Sequence, residues 1–168
     1  MLILKSSLIT LKTHCKHYIG KVATLISEES YYDEDKSISS GEVFTPNELI
    51  YEMISKLPEG TWEDSTRTFF DPAAGKGNFP IYIVKKLFIH LQEHIVDEEA
   101  RLRHIVENQL FMAEYQRESA EFIATAFTFG QDFKVNLYVG DALTMPEDFF
   151  DLSWEDRRVK YPENCILD

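Results

Sequence analysis

The sequence predicts an α/β fold built on a parallel sheet. Three short apolar segments, each followed by an acidic residue, alternate with segments whose apolar residues recur at helical spacing. The first apolar segment leads into a turn containing Gly75 and Gly77 and then into a helical segment. Open parallel sheets form ligand-binding turns in this way. An order in which helices and strands alternate is typical of a parallel sheet.

The first predicted element is a long amphipathic helix, because apolar residues recur in steps of three and four from Leu4 to Ile26. Its apolar face either packs on the core of its own domain or forms a heptad seam with a partner helix. Residues 28–40 are acidic and polar, which predicts a linker or mobile loop. We therefore divide the chain into residues 1–40, a helix with an acidic linker, and residues 41–168, the main domain.

A second helix is predicted to begin near Thr45. Thr45 is a candidate N-cap, Pro46 suits the first helical position, and Glu48 completes a capping box. Apolar residues continue at helical spacing to Leu57, and residues 58–60 end the helix with proline and glycine.

The strands are predicted at residues 68–70, 110–113 and 135–139. A helix over residues 81–91 follows the first strand, and another helix lies between the second and third strands. The charged residues 92–107 predict a solvated helix face. After the third strand the sequence is weakly patterned and predicts a packed loop or short helix. Its apolar end, Cys165-Ile166-Leu167, fits the start of a fourth strand.

Composition restricts the class of partner. The chain has 17 basic and 29 acidic residues and a net charge of −12, so it lacks the cations with which a protein grips phosphates on its own. Cys15 and Cys165 have neither metal-type spacing nor a disulfide pattern, and the histidines form no metal-ligand motif. A reduced, cytoplasmic setting without a bound metal is therefore expected. No apolar run reaches the roughly 18 residues that a membrane helix needs.

Three carboxylates follow the three predicted strands: Asp71, Glu114 and Asp141. Ligands of open α/β sheets bind at the carboxyl ends of the strands, so these side chains are expected to share one crevice. An acid after the second strand accepts hydrogen bonds from ribose hydroxyls. An acid after the third strand suits an exocyclic amino group. Together they predict a pocket for an adenosine-bearing ligand.

The glycine turn narrows the choice of ligand. Pro80 stands where a dinucleotide-binding turn has its third glycine, and Lys76 follows the first glycine, so no phosphate-binding P-loop is present. Asp71 precedes the turn and suits a ligand that carries an ammonium group. S-adenosylmethionine fits these requirements best. A nicotinamide-dependent oxidoreductase is the weaker alternative.

Four segments in this order resemble the cofactor motifs of the N6-adenine DNA methyltransferases. They are Phe44-Thr45-Pro46, the run Asp71-Pro72-Ala73-Ala74-Gly75-Lys76-Gly77-Asn78-Phe79, Ala113-Glu114, and Val139-Gly140-Asp141-Ala142. The resemblance covers residues 41–143 and is to the group whose F-T-P motif precedes the glycine turn, as in type I modification subunits and fused restriction-modification enzymes. It implies a Rossmann-like S-adenosylmethionine-dependent methyltransferase fold, preceded by helices, that acts on DNA.

The resemblance also implies a role for each matching residue. The methionine end of S-adenosylmethionine would be lined by Phe44, Thr45 and Pro46. Its amino acid part would be held by Asp71 and the backbone around Ala73, Gly75 and Gly77, with Phe79 packing the helix start. Its nucleoside would be bound by Glu114 at the ribose, by Asp141 at the adenine amino group, and by Tyr115 and Ala142 against the ring. Plainer roles stay open: Asp71 and Asp141 as cap or turn residues, and Tyr115 as a core residue.

The chain departs from the family at the catalytic motif, an acid or asparagine followed by two prolines and an aromatic residue. None of its six prolines is next to another, so no catalytic residue is predicted. We expect the cofactor-binding portion of such an enzyme, ending before that motif. A fragment, a truncated phage or mobile-element product and half of a split enzyme all fit. DNA would be reached through missing or partner domains. The competing hypothesis is a non-catalytic interaction module that pairs, through its N-terminal helix, with a partner subunit or a second copy.

Overall fold

A computed structural model of the chain describes residues 15–32 and 45–166. The predicted helix before residue 15, the linker from residue 33 and Phe44 of the F-T-P motif lie outside these described residues. Within them the chain has a mixed α/β architecture with six α-helices and a small parallel sheet of three strands.

The α-helices are α1 (Cys15–Tyr32), α2 (Asn47–Ser55), α3 (Asn78–His90), α4 (Glu98–His104), α5 (Arg117–Ala126) and α6 (Trp154–Lys160). The strands are β1 (Phe69–Asp71), β2 (Leu110–Glu114) and β3 (Asn136–Val139). Single 3₁₀ turns at Leu91–Glu93, Ala142–Thr144 and Pro162–Asn164 and a π-helical turn at Ile105–Gln109 complete the described elements.

The sheet has the order β1-β2-β3, and both pairs of strands are parallel. The prediction of a parallel sheet is therefore confirmed. The strands lie within one or two residues of their predicted positions, with β1 and β2 each extending to its acid. Asp71 and Glu114 are consequently the last residues of their strands, and Asp141 lies two residues beyond β3, at the same edge of the sheet.

The two faces of the sheet pack into different clusters. Met112 and Val139 face the larger core, which also receives apolar residues from all the helices except α6. Ala113 and Tyr138 face the other side, where they pack with the fully buried ring of Phe149. This alternation follows from the pleat of a strand, which sends successive side chains to opposite faces.

Helix α1 packs on the core of its own chain. Tyr18, Ile19, Val22 and Ile26 are all buried there. For the described part of this helix, the structure supports packing on its own domain rather than a seam with a partner. The helix continues to Tyr32, beyond the predicted start of the linker at residue 28, because residues 28–32 contain neither glycine nor proline.

Helix α2 begins one residue later than predicted. Pro46 is its N-cap and makes no side-chain cap bond, so the capping box expected from Thr45 and Glu48 is absent. The carbonyl of Pro46 accepts the first helical hydrogen bond, from Ile50, at 3.1 Å. Proline suits this position because its ring fixes φ, which is −58° here.

The charged segment between α3 and β2 has an exposed face, as predicted, and a buried side that its charge did not indicate. Leu102, Ile105 and Val106 are almost completely buried, so one side of α4 and the π-helical turn belongs to the core. At the other end of the described chain, Cys165 and Ile166 form no strand, and Leu167 lies outside the described residues. Cys165 instead packs in the cluster around Phe149.

Candidate functional site

The glycine turn connects β1 to α3 and lies against the end of β2. The main-chain N–H of Ala74 donates to the carbonyl of Ala113 at 3.0 Å. Within the turn, the N–H of Gly77 donates to the carbonyl of Ala74 at 2.7 Å. Gly75 and Gly77 have φ values of +54° and +89°, a backbone conformation that residues with a Cβ rarely adopt. The sequence therefore needs glycine at both positions for backbone reasons alone.

The surroundings of the two glycines differ. A Cβ on Gly75 would meet no heavy atom within 4 Å, so this side of the turn is open. A Cβ on Gly77 would lie 2.5 Å from Cε2 of Phe127, inside the core. The backbone around Gly75 is thus accessible to a ligand, whereas Gly77 allows α3 to pack closely against Phe127.

Glu114 joins the glycine turn to the ends of β2 and β3. Its side chain is buried, with 6% exposed. Oε2 accepts the N–H of Gly75 at 2.7 Å, and Oε1 accepts the N–H of Gln116 at 2.7 Å. The main-chain carbonyl of Glu114 accepts the N–H of Gly140 at 2.9 Å. Two charge-assisted hydrogen bonds hold this carboxylate in one orientation.

The register places the first two acids on one face of the sheet. Asp71 pairs with Met112, and Glu114 follows Met112 by two residues, which returns its side chain to the same face. Glu114 pairs in turn with Val139, and Asp141 follows Val139 by two residues. The three strand ends therefore lie side by side at one edge of the sheet.

Asp71 and Asp141 both act in local turns. Oδ1 of Asp71 accepts the N–H of Ala73 at 3.1 Å, and Oδ1 of Asp141 accepts the N–H of Leu143 at 2.9 Å. The plainer role as turn residues is thus present in both cases. Partial burial raises the pKa of the Asp71 carboxyl, and the bond from Ala73 opposes this shift. Each carboxylate keeps lone pairs with which it can accept further hydrogen bonds.

Thr45 lies beside the N-terminus of α3. Its main-chain carbonyl accepts a hydrogen bond of 2.8 Å from Nδ2 of Asn78. Thr45 is half-buried, and the adjoining Pro46 is exposed. Thr45 and Pro46 were predicted to lie near the glycine turn only because of the family resemblance. The contact between Thr45 and Asn78 was not predicted. The signal was the position of Asn78, an amide side chain directly after the glycine turn.

The remaining predicted residues surround this edge of the sheet. Tyr115 is 76% exposed, so its alternative role as a core residue is wrong. Ala73 is exposed, and Ala142 is half-buried beside the cluster around Phe149. Phe79 is half-buried and packs against the larger core at the start of α3, the contact expected of it.

In residues 15–32 and 45–166, no group of three or more His, Cys, Asp or Glu side chains is arranged to hold a metal ion. None of the helices in this part of the chain combines the length and the apolar character needed to cross a membrane. Comparisons with protein-family models and with curated protein sequences found no match.

Proposed function

We propose that this chain binds S-adenosylmethionine at the carboxyl edge of its sheet and is the cofactor-binding part of an N6-adenine DNA methyltransferase with a Rossmann-like fold. The observation that carries the proposal is the 2.7 Å hydrogen bond from Gly75 N–H to Glu114 Oε2. It joins an open glycine turn to a buried carboxylate on the neighbouring strand, at the carboxyl edge where ligands of open α/β sheets bind.

The residues present fit this cofactor. The open side of Gly75 gives a ligand close access to the backbone. Asp71 would accept from the ammonium group, and Glu114 would accept from the ribose hydroxyls. Exposed Asp141 and Tyr115 would contact the adenine amino group and ring. When bound, S-adenosylmethionine supplies a sulfonium-activated methyl group for transfer to a nucleophile.

Charge favours this ligand over a dinucleotide. Asp71 directly precedes the glycine turn, and Glu114 accepts a hydrogen bond from Gly75 within it. A pyrophosphate on this turn would lie close to two carboxylates, whereas a sulfonium and an ammonium group would be attracted to them. A nicotinamide dinucleotide is therefore the weaker candidate.

We expect the isolated chain to bind the cofactor without methylating DNA. No two of its prolines are adjacent, so the motif that would position a flipped adenine is missing from this sequence. Its net charge of −12 opposes DNA binding by this chain alone. A partner or further domain would supply DNA recognition, and a restriction-modification role would place the protein in the cytoplasm.

Isothermal titration calorimetry tests the proposal. We expect the wild-type chain to bind S-adenosylmethionine with one-to-one stoichiometry and to bind NAD more weakly. Glu114→Ala should abolish binding of S-adenosylmethionine, whereas Glu121→Ala on the exposed side of α5 should bind as the wild type does. Failure of the folded wild-type chain to bind S-adenosylmethionine would refute the proposal. A methylation assay with DNA is expected to give no product.

One observation favours an interaction module as a second candidate. Leu49, Met53 and Leu57, spaced four residues apart along α2 and its end, are 46%, 48% and 41% exposed. Such a stripe is typical of a helix that meets another helix. A chain that binds no S-adenosylmethionine, yet self-associates in sedimentation experiments and loses this association in Met53→Gln, would favour the second candidate.

A further inference from the structure

We infer that Asn78 is a positioning residue that sets the separation between the Thr45–Pro46 segment and the glycine turn. This inference rests on the proposed function, because it assigns to Asn78 the shaping of the cofactor pocket at its methionine end. It concerns a side chain for which the sequence indicated no role.

The contact joins two distant parts of the chain. Asn78 is the first residue of α3 and directly follows Gly77. Its Nδ2 donates to the main-chain carbonyl of Thr45 at 2.8 Å, across 33 residues of sequence. Neither Asn78 nor Thr45 is fully exposed, so water competes less for this bond than it would at an open surface.

Within residues 15–32 and 45–166, the bond joins the Thr45–Pro46 segment to the first residue of α3. Pro46 has no main-chain N–H, so it can donate no hydrogen bond to the turn. Its carbonyl is already used by Ile50 in the first turn of α2. Buried Ile50 and Ile54 fix the body of α2 in the larger core, but they lie beyond the segment itself. The amide of Asn78 is therefore the described contact that fixes Thr45 over the start of α3.

No side chain caps the N-terminus of α3. Gly77, the N-cap, has no side chain, and the helix has no side-chain cap bond. The amide of Asn78 points to Thr45 rather than capping its own helix. Asn78 thus connects the Thr45 carbonyl to the first residue of α3, three residues after Gly75 in the glycine turn.

A purely structural role and a positioning role predict different ligand affinities. If Asn78 only stabilises the fold, its loss affects all nucleoside ligands alike. If it positions the Thr45–Pro46 segment against the methionine end, its loss weakens S-adenosylmethionine selectively. Methylthioadenosine keeps the nucleoside and sulfur but lacks the amino acid part, so it serves as the reference ligand.

The experiment measures the affinities of S-adenosylmethionine and methylthioadenosine by calorimetry for the full chain and its variants. Asn78→Ala removes the donor, and Asn78→Asp keeps the volume of the side chain but replaces the donor with an acceptor. We expect Asn78→Ala to weaken S-adenosylmethionine by about tenfold, the value of one hydrogen bond, and Asn78→Asp to weaken it more. The affinity for methylthioadenosine should stay within about twofold of the wild type.

The control removes a similar bond at the other end of the strands. His104 Nε2 donates to the main-chain carbonyl of Ser65 at 2.8 Å, also over a long sequence separation. His104→Ala should lower the melting temperature and leave both affinities unchanged. If Asn78→Ala does not fold, Asn78→Asp gives the same comparison.

The outcomes separate the two proposals. No binding of S-adenosylmethionine by the wild type would overturn the proposed function and the role of Asn78 with it. Wild-type binding that Asn78→Ala and Asn78→Asp leave unchanged would overturn the role of Asn78 alone. An equal loss for both ligands would also overturn it, because that result indicates a general structural effect.

Discussion

Phe127 occupies the space in which Gly77 would carry a side chain: a methyl group on Gly77 would lie 2.5 Å from Cε2 of the ring. Phe127 is fully buried and directly follows α5, so this contact brings the end of α5 against the start of α3. Gly75, two residues earlier, has open space in the corresponding direction. The two glycines of one turn therefore have different roles, one in packing and one in access.

We predict that Gly77→Ala destabilises the fold more than Gly75→Ala does. Alanine at Gly75 is strained by its positive φ, at a cost of about 1–2 kcal/mol. Alanine at Gly77 adds a clash with Phe127, which raises the loss to about 2–4 kcal/mol. Urea denaturation of both variants measures the difference. Equal losses would show that Phe127 moves aside freely, which would contradict the packing role.

The sequence predicted those parts of the fold that depend on local pattern. The strand ends at Asp71 and Glu114 could be predicted because a short apolar segment stops at each position and an acidic residue comes next. The different roles of Gly75 and Gly77 could not be predicted, because the role of Gly77 depends on its contact with Phe127, which is distant in the sequence. A motif fixes the backbone requirement of each glycine, whereas packing decides its surroundings.

Contacts between segments that are distant in the sequence explain the other differences between the predicted and the observed fold. The cap of α2 was misplaced because the capping-box pattern takes no account of Asn78, whose amide binds the carbonyl of Thr45. Likewise, the charged residues before β2 predicted a solvated helix face but gave no sign of the buried opposite side. Leu102 and Ile105 are buried on that side, where α1 and α3 pack against α4 and α3 packs against the π-helical turn, and no local pattern reveals this packing.

Replacing Glu114 by glutamine should destabilise the chain. Glutamine has one oxygen in place of two, so either Gly75 or Gln116 would face an amide group that cannot accept its N–H. An unpaired buried donor costs about 1–3 kcal/mol. We expect a loss of this size for Glu114→Gln in urea denaturation.

The matched control for this variant is Glu121→Gln on exposed α5. Its free energy of unfolding should stay within about 0.5 kcal/mol of the wild type. If Glu114→Gln is as stable as this control, the carboxylate does not hold the glycine turn in solution.

Asp71→Asn should make the chain more stable at neutral pH while weakening its binding of a cationic ligand. Burial raises the pKa of Asp71 above its ordinary value of 3.8 in the folded chain. Between that value and the folded pKa the folded state binds more protons than the unfolded state, so the contribution of Asp71 to stability falls as pH rises. Asparagine does not ionise, so the variant avoids this loss of stability with rising pH. Its side-chain oxygen can still accept the N–H of Ala73.

Asp64→Asn provides a control of opposite sign. Hydrogen bonds from the side chain and main chain of Thr66 lower the pKa of Asp64 in the folded chain. Its contribution to stability is therefore present above the ordinary pKa of aspartate and is lost as pH falls through the folded value. Thermal melts from acid to neutral pH should show Asp71→Asn gaining on the wild type as pH rises and Asp64→Asn falling behind it. The same trend in both variants would contradict the assigned directions.

Tyr115 offers a test of ligand contact that is free of stability effects. Its side chain is 76% exposed, so Tyr115→Ala should change the free energy of unfolding by no more than about 0.5 kcal/mol. If the ring packs against adenine, the same change should weaken S-adenosylmethionine by about fivefold, the usual value of an aromatic pair. Tyr115→Phe keeps the ring and loses only the hydroxyl, so it should bind as the wild type does. Calorimetry on the three proteins decides the matter: unchanged affinity in Tyr115→Ala would place the adenine away from this ring, and a loss in Tyr115→Phe would assign the contact to the hydroxyl instead of the ring face.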